Sequence, residues 1–391
     1  MYITILGRQP NLGMAELEQL YGSDQIDWFS DMSAIVRAND FNFERLGGTQ
    51  KAGRVVAELR GNWQSVSKRL VSGYSAAWHD HEGKITLGIS AYGFDVSSRD
   101  VQKTGIVLKS KLKSHGVSVR LVPNAEPALN TAASHHNRLG LSDNKVELIV
   151  VRARDSRIII AESVGSQNIT ALAGRDQARP KTDAFVGMLP PKLARMMVNM
   201  ATAHSTVNDR RLSVLDPFCG TGVVLQEALL LGYDAYGSDL SEKMVDYSDI
   251  NLKWLGEKYN LAGSYQVELG DAVKHRWAPS PDVVICETYL GQPFSAPPSP
   301  AKLTEVRGNC NRIISDFLKN IGTQIEPGTP LCVAVPAWQD ATGRFTHLPL
   351  IGQVEGLGYE RTLLKHVSDR DLLYYREGQV VARELLFLKK T

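Results

Sequence analysis

Asp216-Pro217-Phe218-Cys219-Gly220-Thr221-Gly222 stands at the end of the apolar, strand-like run Leu212 to Leu215 and directly before the helical run Val223 to Leu231. This junction decides the fold. Its two glycines permit a tight turn and close approach of backbone to a ligand, and the helix behind them offers unpaired N–H groups. Downstream, strand-like Asp234 to Gly237, Tyr265 to Leu269, Asp282 to Cys286 and Leu331 to Val335 alternate with helix-length segments. That is the pattern of a parallel sheet with crossover helices, an α/β half. Asp371 to Tyr375 and Val380 to Leu388 flank Glu377-Gly378 and are expected to form a β-hairpin that adds antiparallel pairing at one sheet edge. Just upstream, Leu193, Met196, Met197 and Met200 recur at helical spacing and are expected in the core.

The first 165 residues or so read differently. Tyr2 to Leu6, Ala34 to Arg37, Ile85 to Ile89, Ser118 to Leu121, Val146 to Val151 and Arg157 to Ala161 read as strands, with Asn11 to Tyr21 and Thr104 to His115 as helices between them. This half is α+β. The 391 residues are 43% hydrophobic and 22% charged, which suits a globular protein of two or three domains and excludes disorder and collagen. No apolar run approaches the roughly 18 residues of a membrane span, and the N-terminus is charged too soon for a signal peptide, so a cytoplasmic location is expected. Cys219, Cys286, Cys310 and Cys332 form no C-x-x-C pair and are expected as reduced core residues. No metal site is indicated; His79-Asp80-His81-Glu82 and His135-His136 read as solvated loops.

The net charge of +2 conceals an uneven distribution, since residues 61–120 hold nine Lys or Arg against four Asp or Glu. Lys109, Lys111 and Lys113 fall on one helix-like stretch and Arg120 on the strand after it, making them candidate phosphate contacts; the alternative is a solvated helix face. For the glycine loop three ligands compete. A Walker loop needs a Lys-Ser/Thr pair that does not follow, and the third glycine of a dinucleotide loop falls at Leu225. S-adenosylmethionine (SAM) has no phosphate to cradle and is compatible with both departures. Gly237-Ser238-Asp239 ends the next strand, where a carboxylate can accept hydrogen bonds from two ribose hydroxyls, and Gly270-Asp271 ends the third, where Asp271 can receive an adenine amino group.

These motifs, with Gly187-Met188-Leu189-Pro190-Pro191-Lys192-Leu193-Ala194-Arg195, resemble the THUMP-containing tRNA guanosine-N2 methyltransferases, the archaeal and eukaryotic enzymes that act at position ten. Gly7-Arg8-Gln9-Pro10 through Glu16-Leu17 and Leu46-Gly47-Gly48-Thr49-Gln50-Lys51 are similar to that family's small N-terminal domain, and Lys111 through Gly116, Ser118, Val119 and Arg120 fall in its THUMP module. The resemblance covers nearly the whole chain. It implies a Rossmann-like class I SAM-dependent methyltransferase domain preceded by an α+β ferredoxin-like plus THUMP RNA-binding region. The expected boundaries are residues 1–60 (ferredoxin-like), 61–168 (THUMP), 169–192 (linker) and 193–391 (methyltransferase).

For the site, the resemblance implies SAM held by Asp216, Phe218, Gly220, Gly222, Asp239 and Asp271, with Asp216 near its amino-acid end. In that family the fourth strand ends in Asp-Pro-Pro-Tyr, which grips the amino group to be methylated. Here the strand is followed by Glu287-Thr288-Tyr289-Leu290-Gly291, so Glu287, Thr288 and Tyr289 become the candidate catalytic residues, Glu287 as acceptor and Tyr289 as stacking surface. A second register puts Tyr289 at the aromatic position and Cys286 at the acidic one. Phe294, in the proline-rich loop that follows, is a candidate contact for a flipped base, with a stiff surface loop as the alternative. The implied partner is tRNA or another structured RNA, with a small activating protein as in some eukaryotic relatives; a monomer is expected. Three rival readings stand beside this one: a methyltransferase on another base, such as adenine N6 or a ribosomal guanine; a silent RNA-binding protein that keeps the SAM fold; and a dehydrogenase, against which Leu225 in place of the third glycine counts.

Overall fold

The computed structural model describes residues 1–183, 188–205 and 207–391. They divide into two compact units, residues 1–17 with 21–171 and residues 18–20 with 172–391. Up to residue 166 the elements are β1 (Tyr2–Leu6), α1 (Pro10–Tyr21), β2 (Ile26–Ser30), β3 (Ser33–Val36), β4 (Thr49–Arg60), α2 (Trp63–Ala77), β5 (Lys84–Tyr92), α3 (Ser98–Ser114), β6 (Ser118–Leu121), α4 (Thr131–His136), β7 (Lys145–Arg152) and β8 (Arg157–Ser166). All eight strands join one sheet, in the order β2-β3-β1-β4-β8-β7-β5-β6. The unbroken apolar run in β7 follows from burial on both faces: Leu148 and Val150 pack with Leu70 and Leu108 of α2 and α3, while Ile149 and Val151 pack with Ile3, Ile5 and Phe29.

Strand β4, which the sequence did not announce, pairs antiparallel with both β1 and β8. The boundary expected at residue 60 therefore falls at the end of a strand that both parts share. Lys51 of β4 is buried; its ammonium donates to Glu147 Oε1 at 2.5 Å and to the Leu129 carbonyl at 2.6 Å. The hydroxyls of Ser90 and Ser134 donate to the two oxygens of the same carboxylate, so the buried pair is saturated. Helix α3 begins earlier than its apolar pattern indicated, because Ser97 and Asp100 form a reciprocal capping box at 3.2 Å.

The remaining elements are α5 (Ile169–Gln177), α6 (Pro191–Thr202), β9 (Ser213–Asp216), α7 (Val223–Leu230), β10 (Asp234–Asp239), α8 (Glu242–Lys258), β11 (Tyr265–Leu269), β12 (Val283–Glu287), α9 (Pro300–Gly322), β13 (Pro330–Gln339), β14 (Phe345–Thr346), β15 (Tyr359–Arg361), β16 (Leu373–Tyr374) and β17 (Val381–Lys390). Their sheet runs β11-β10-β9-β12-β13-β17-β15, with β14 on β13 and β16 on β17. Strands β9 to β13 are parallel neighbours, as expected. The chain moves outward from β9 to β10 and β11, then returns to β12 on the other side of β9. That reversal is a topological switch point, where open α/β sheets bind ligands beyond the carboxyl ends of their strands.

One expectation is borne out and one corrected here. The C-terminal hairpin forms, with β16 antiparallel to β17, and it adds antiparallel pairing at one end of the sheet, where β17 also pairs with β13 and β15. The stretch read as a linker is helical over α5, and its Arg175 and Arg179 are buried in the second unit. Its charged composition masks this, since Arg175 and Arg195 both pair with Glu227 of α7, at 2.6 and 2.9 Å. Of the Gly187-to-Arg195 run, Gly187 lies outside the described residues; Met196, Met197 and Met200 are core, as their spacing implied. All four cysteines are free and buried. Among the described residues no helix is long and apolar enough to cross a membrane.

Candidate active site

The strand register places the acidic residues at one edge. Gly237 lies opposite Asp216, Leu269 opposite Asp239, and Val284 opposite Leu215, so the carboxyl ends of β9, β10 and β12 finish together. Between β9 and α7 the loop turns through Gly220 and Gly222, at φ +53° and +81°. At Gly222 a Cβ would also meet Ser248 Oγ at 3.0 Å, so both the backbone conformation and the space demand glycine. No side chain caps α7, so its first-turn amides donate to no capping side chain.

Four expected residues come together around this loop. The Asp216 carboxylate accepts from the Phe218 amide at 3.1 Å, and Asp239 accepts from Gly220 at 2.9 Å and from Ser241 at 2.9 Å. Burial pushes the Asp216 carboxyl well above the usual carboxylate range, and the charges of Asp239 and Glu287 push the same way. Burial also raises Asp239, against the two amides that favour its ionised form. Asp271 stands at the third tip, its Oδ1 accepting from Val273 at 3.2 Å, and the Gly270 amide donates to the Asp239 carbonyl at 2.9 Å. Phe218 is half-buried, its ring packing edge-on against Phe317 at 5.1 Å and against the core.

Glu287 ends β12, but it is not the free acceptor that the sequence suggested. Its Oε1 accepts a hydrogen bond from Arg383 Nε of β17, in an ion pair whose two side chains are largely buried. The Thr288 hydroxyl donates to the Ala334 carbonyl at 3.0 Å and is buried, so Thr288 faces the sheet and not the opening. Tyr289 is 41% exposed, and Gly291 turns the chain away at φ +84°, where a Cβ would meet Val306 at 2.8 Å. Phe294 packs against the core, which favours the stiff-loop reading of that segment.

Several site residues carried weak sequence signals. Ser248 and Asn251 of α8 are buried and tie the loop down: Ser248 Oγ donates to the Gly220 carbonyl at 2.8 Å and Asn251 Nδ2 to the Thr221 carbonyl at 3.0 Å. They interrupt the buried stripe of Met244, Leu252 and Leu255, and a polar break in an apolar helix stripe is a readable signal. Leu240 follows Asp239 and is 73% exposed, an apolar surface at the edge of the second strand tip. Nothing in the local sequence pairs Arg383 with Glu287, 96 residues away.

In the first unit, Lys109, Lys111, Lys113 and Arg120 are all exposed. At 100° per residue, Lys109 and Lys113 share a flank of α3 while Lys111 lies on the opposite one, so the lysines do not form a single patch. Arg120 donates to Asn137 Oδ1 at 2.8 Å.

Comparison with known proteins bears on this arrangement. A family model described as DNA methylase matches residues 98–249, which include the glycine loop and Asp239 but stop short of Glu287. The chain is 40% identical over 108 residues, 28% of its length and 26% of the relative's, to the tRNA (guanine(10)-N2)-dimethyltransferase of Pyrococcus abyssi. It is 30% identical over 167 residues, 42% of its length and 44% of the relative's, to the protein of the same name from Methanothermobacter thermautotrophicus. The matched stretches thus span less than half of either relative. Among solved structures, TrmN from Thermus thermophilus superposes over 100% of this chain and 99% of its own with a TM-score of 0.52 and 16% identity, a likeness of fold.

Proposed function

We propose that the chain is a SAM-dependent tRNA methyltransferase that acts on the exocyclic N2 of a guanine. The observation that carries this is the loop clamped between Asp216 and Asp239 at the switch point, with Glu287 and Tyr289 at the neighbouring strand tip. The named relatives, which share up to 44% of their length with it, support the choice of substrate. In this reading the first unit, including a THUMP module, captures RNA through its basic residues, among them Lys109, Lys113 and Arg120.

The donor set fits SAM. Asp216 would accept from its ammonium, Asp239 from the ribose hydroxyls and Asp271 from the adenine amine, with Leu240 beside the ring. When bound, SAM supplies a methyl group on a positively charged sulfur. The protein must do the rest. The lone pair of a guanine amine is delocalised into the ring, so the amine has to be oriented and its hydrogens accepted as charge develops on nitrogen. Glu287 Oε2 is the acceptor available for this, and Arg383 on Oε1 fixes the carboxylate plane. Tyr289 offers a stacking face to a base taken out of its helix.

The direct test is mass spectrometry of nucleosides from unmodified tRNA incubated with the protein and methyl-labelled SAM. Labelled N2-methylguanosine is expected. Labelled N6-methyladenosine would move the target to adenine, and no labelled nucleoside despite SAM binding would leave RNA binding as the function.

A pH dependence follows from Asp216. Its carboxyl is raised in the free protein, and only the ionised form pairs with the ligand's ammonium, so affinity for S-adenosylhomocysteine is lost as pH falls through the raised pKa. Calorimetry in buffers of different ionisation heat should show proton release on binding at mildly acidic pH. Asp216→Asn should bind weakly with no such slope.

A further inference from the structure

Arg179 is only 4% exposed, yet its Nε and one terminal nitrogen have no hydrogen-bond partner among the described residues. Its other terminal nitrogen meets the sulfur of Met188 at 2.8 Å, a weak acceptor. Asp176 acts on it through space without forming an ion pair, while burial disfavours its charged form. A buried cation with open donors is costly, and in native structures such groups have a partner that completes them.

The position of this guanidinium follows from its neighbours in sequence. Four residues before it, Arg175 bonds Glu227, which lies one turn into α7. Two residues after it, the Lys181 backbone exchanges both hydrogen bonds with Asn251, at 2.9 Å each, and the same Asn251 amide holds the Thr221 carbonyl of the glycine loop. The segment carrying Arg179 is therefore anchored on one side to Glu227 of α7 and on the other to Asn251 of α8, the residue that also holds the glycine loop. The N-terminus of α7 has no side-chain cap, and an open helix N-terminus and an unpartnered buried guanidinium each favour an anion.

We infer that Arg179 completes the cofactor site as the binding group for the carboxylate of the amino-acid part of SAM, paired across that moiety with Asp216 on the ammonium. This rests on the SAM reading above. A carboxylate matches the guanidinium fork and returns to it the hydrogen bonds it lacks. It also balances the moiety, with the acid Asp216 on the cation and the base Arg179 on the anion.

The test compares two ligands by calorimetry, S-adenosylhomocysteine and its decarboxylated analogue, which keeps the adenosine and the amine. The wild-type chain should bind the first about 10- to 100-fold more tightly, the range expected for hydrogen bonds to a charged group. Arg179→Met should erase that preference by weakening S-adenosylhomocysteine alone, and Arg179→Lys should restore part of it. Thermal melting of the unliganded variant checks that the fold survives. If both ligands weaken equally in Arg179→Met, the residue is structural and the assignment fails. If S-adenosylhomocysteine affinity is unchanged while tRNA affinity drops, the anion is an RNA phosphate and the assignment again fails. If the wild type binds neither ligand, the SAM reading itself falls and takes this assignment with it.

Discussion

Glu287→Ala is expected to slow methyl transfer at saturating RNA and cofactor by about 100-fold or more, the loss seen when one preorganised polar group is removed from a reacting centre. Affinity for S-adenosylhomocysteine should stay within about threefold, since Glu287 stands at the end of β12 and not on the glycine loop proposed to hold the cofactor. Single-turnover kinetics on labelled tRNA, with calorimetry alongside, measure both. A parallel loss of cofactor affinity would place Glu287 in the cofactor site and not at the amine.

Arg383 refines this prediction, because its guanidinium donates to Oε1 of the Glu287 carboxylate and fixes the direction in which the other oxygen points. Arg383→Met is expected to slow methyl transfer by about 10- to 100-fold, the range for losing a hydrogen bond to a charged group, with affinity for S-adenosylhomocysteine within about threefold of wild type. Single-turnover kinetics at saturating RNA and cofactor measure it. An unchanged rate would mean that Arg383 does not orient the carboxylate.

Glu227→Ala is expected to lower stability by about 3–5 kcal/mol, the cost of removing one partner from a buried ion-pair network. Glu227 is fully buried and pairs with both Arg175 and Arg195, so its loss removes the carboxylate that the two guanidinium groups share in the interior of the second unit. Guanidinium chloride unfolding followed by hydrogen exchange of the α7 amides measures the effect. Replacing all three residues with methionine should recover most of the loss, since no unpaired charge then remains. A Glu227→Ala variant within about 1 kcal/mol of wild type would show that water reaches the two arginines.

Both predictions turn on ion pairs between residues distant in sequence, and the same distinction separates what was legible from what was not. The junction at Asp216 to Gly222, the acids at successive strand tips, the parallel order and the methionine stripe could all be read directly. Each of these is set by local rules: glycine at left-handed backbone, period-two and period-3.6 burial, and carboxylates where parallel strands end. The structure confirms that arrangement and shows the loop held by Asp239, Ser248 and Asn251.

The failures share one cause. Strand β4 reads as polar because Lys51 lies in it, yet Lys51 is buried where Glu147 meets it from 96 residues away. Arg175 and Arg179 gave their segment the look of a solvated linker, although Glu227 waits 52 residues beyond Arg175. Glu287 looked like a free acceptor until β17 brought Arg383 beside it. A charged side chain carries no mark of whether its partner is water or a distant opposite charge. Its sequence determines the kind of group and the strand or helix that presents it, whereas burial and pairing depend on which strands come to lie side by side, and the tertiary structure alone decides that.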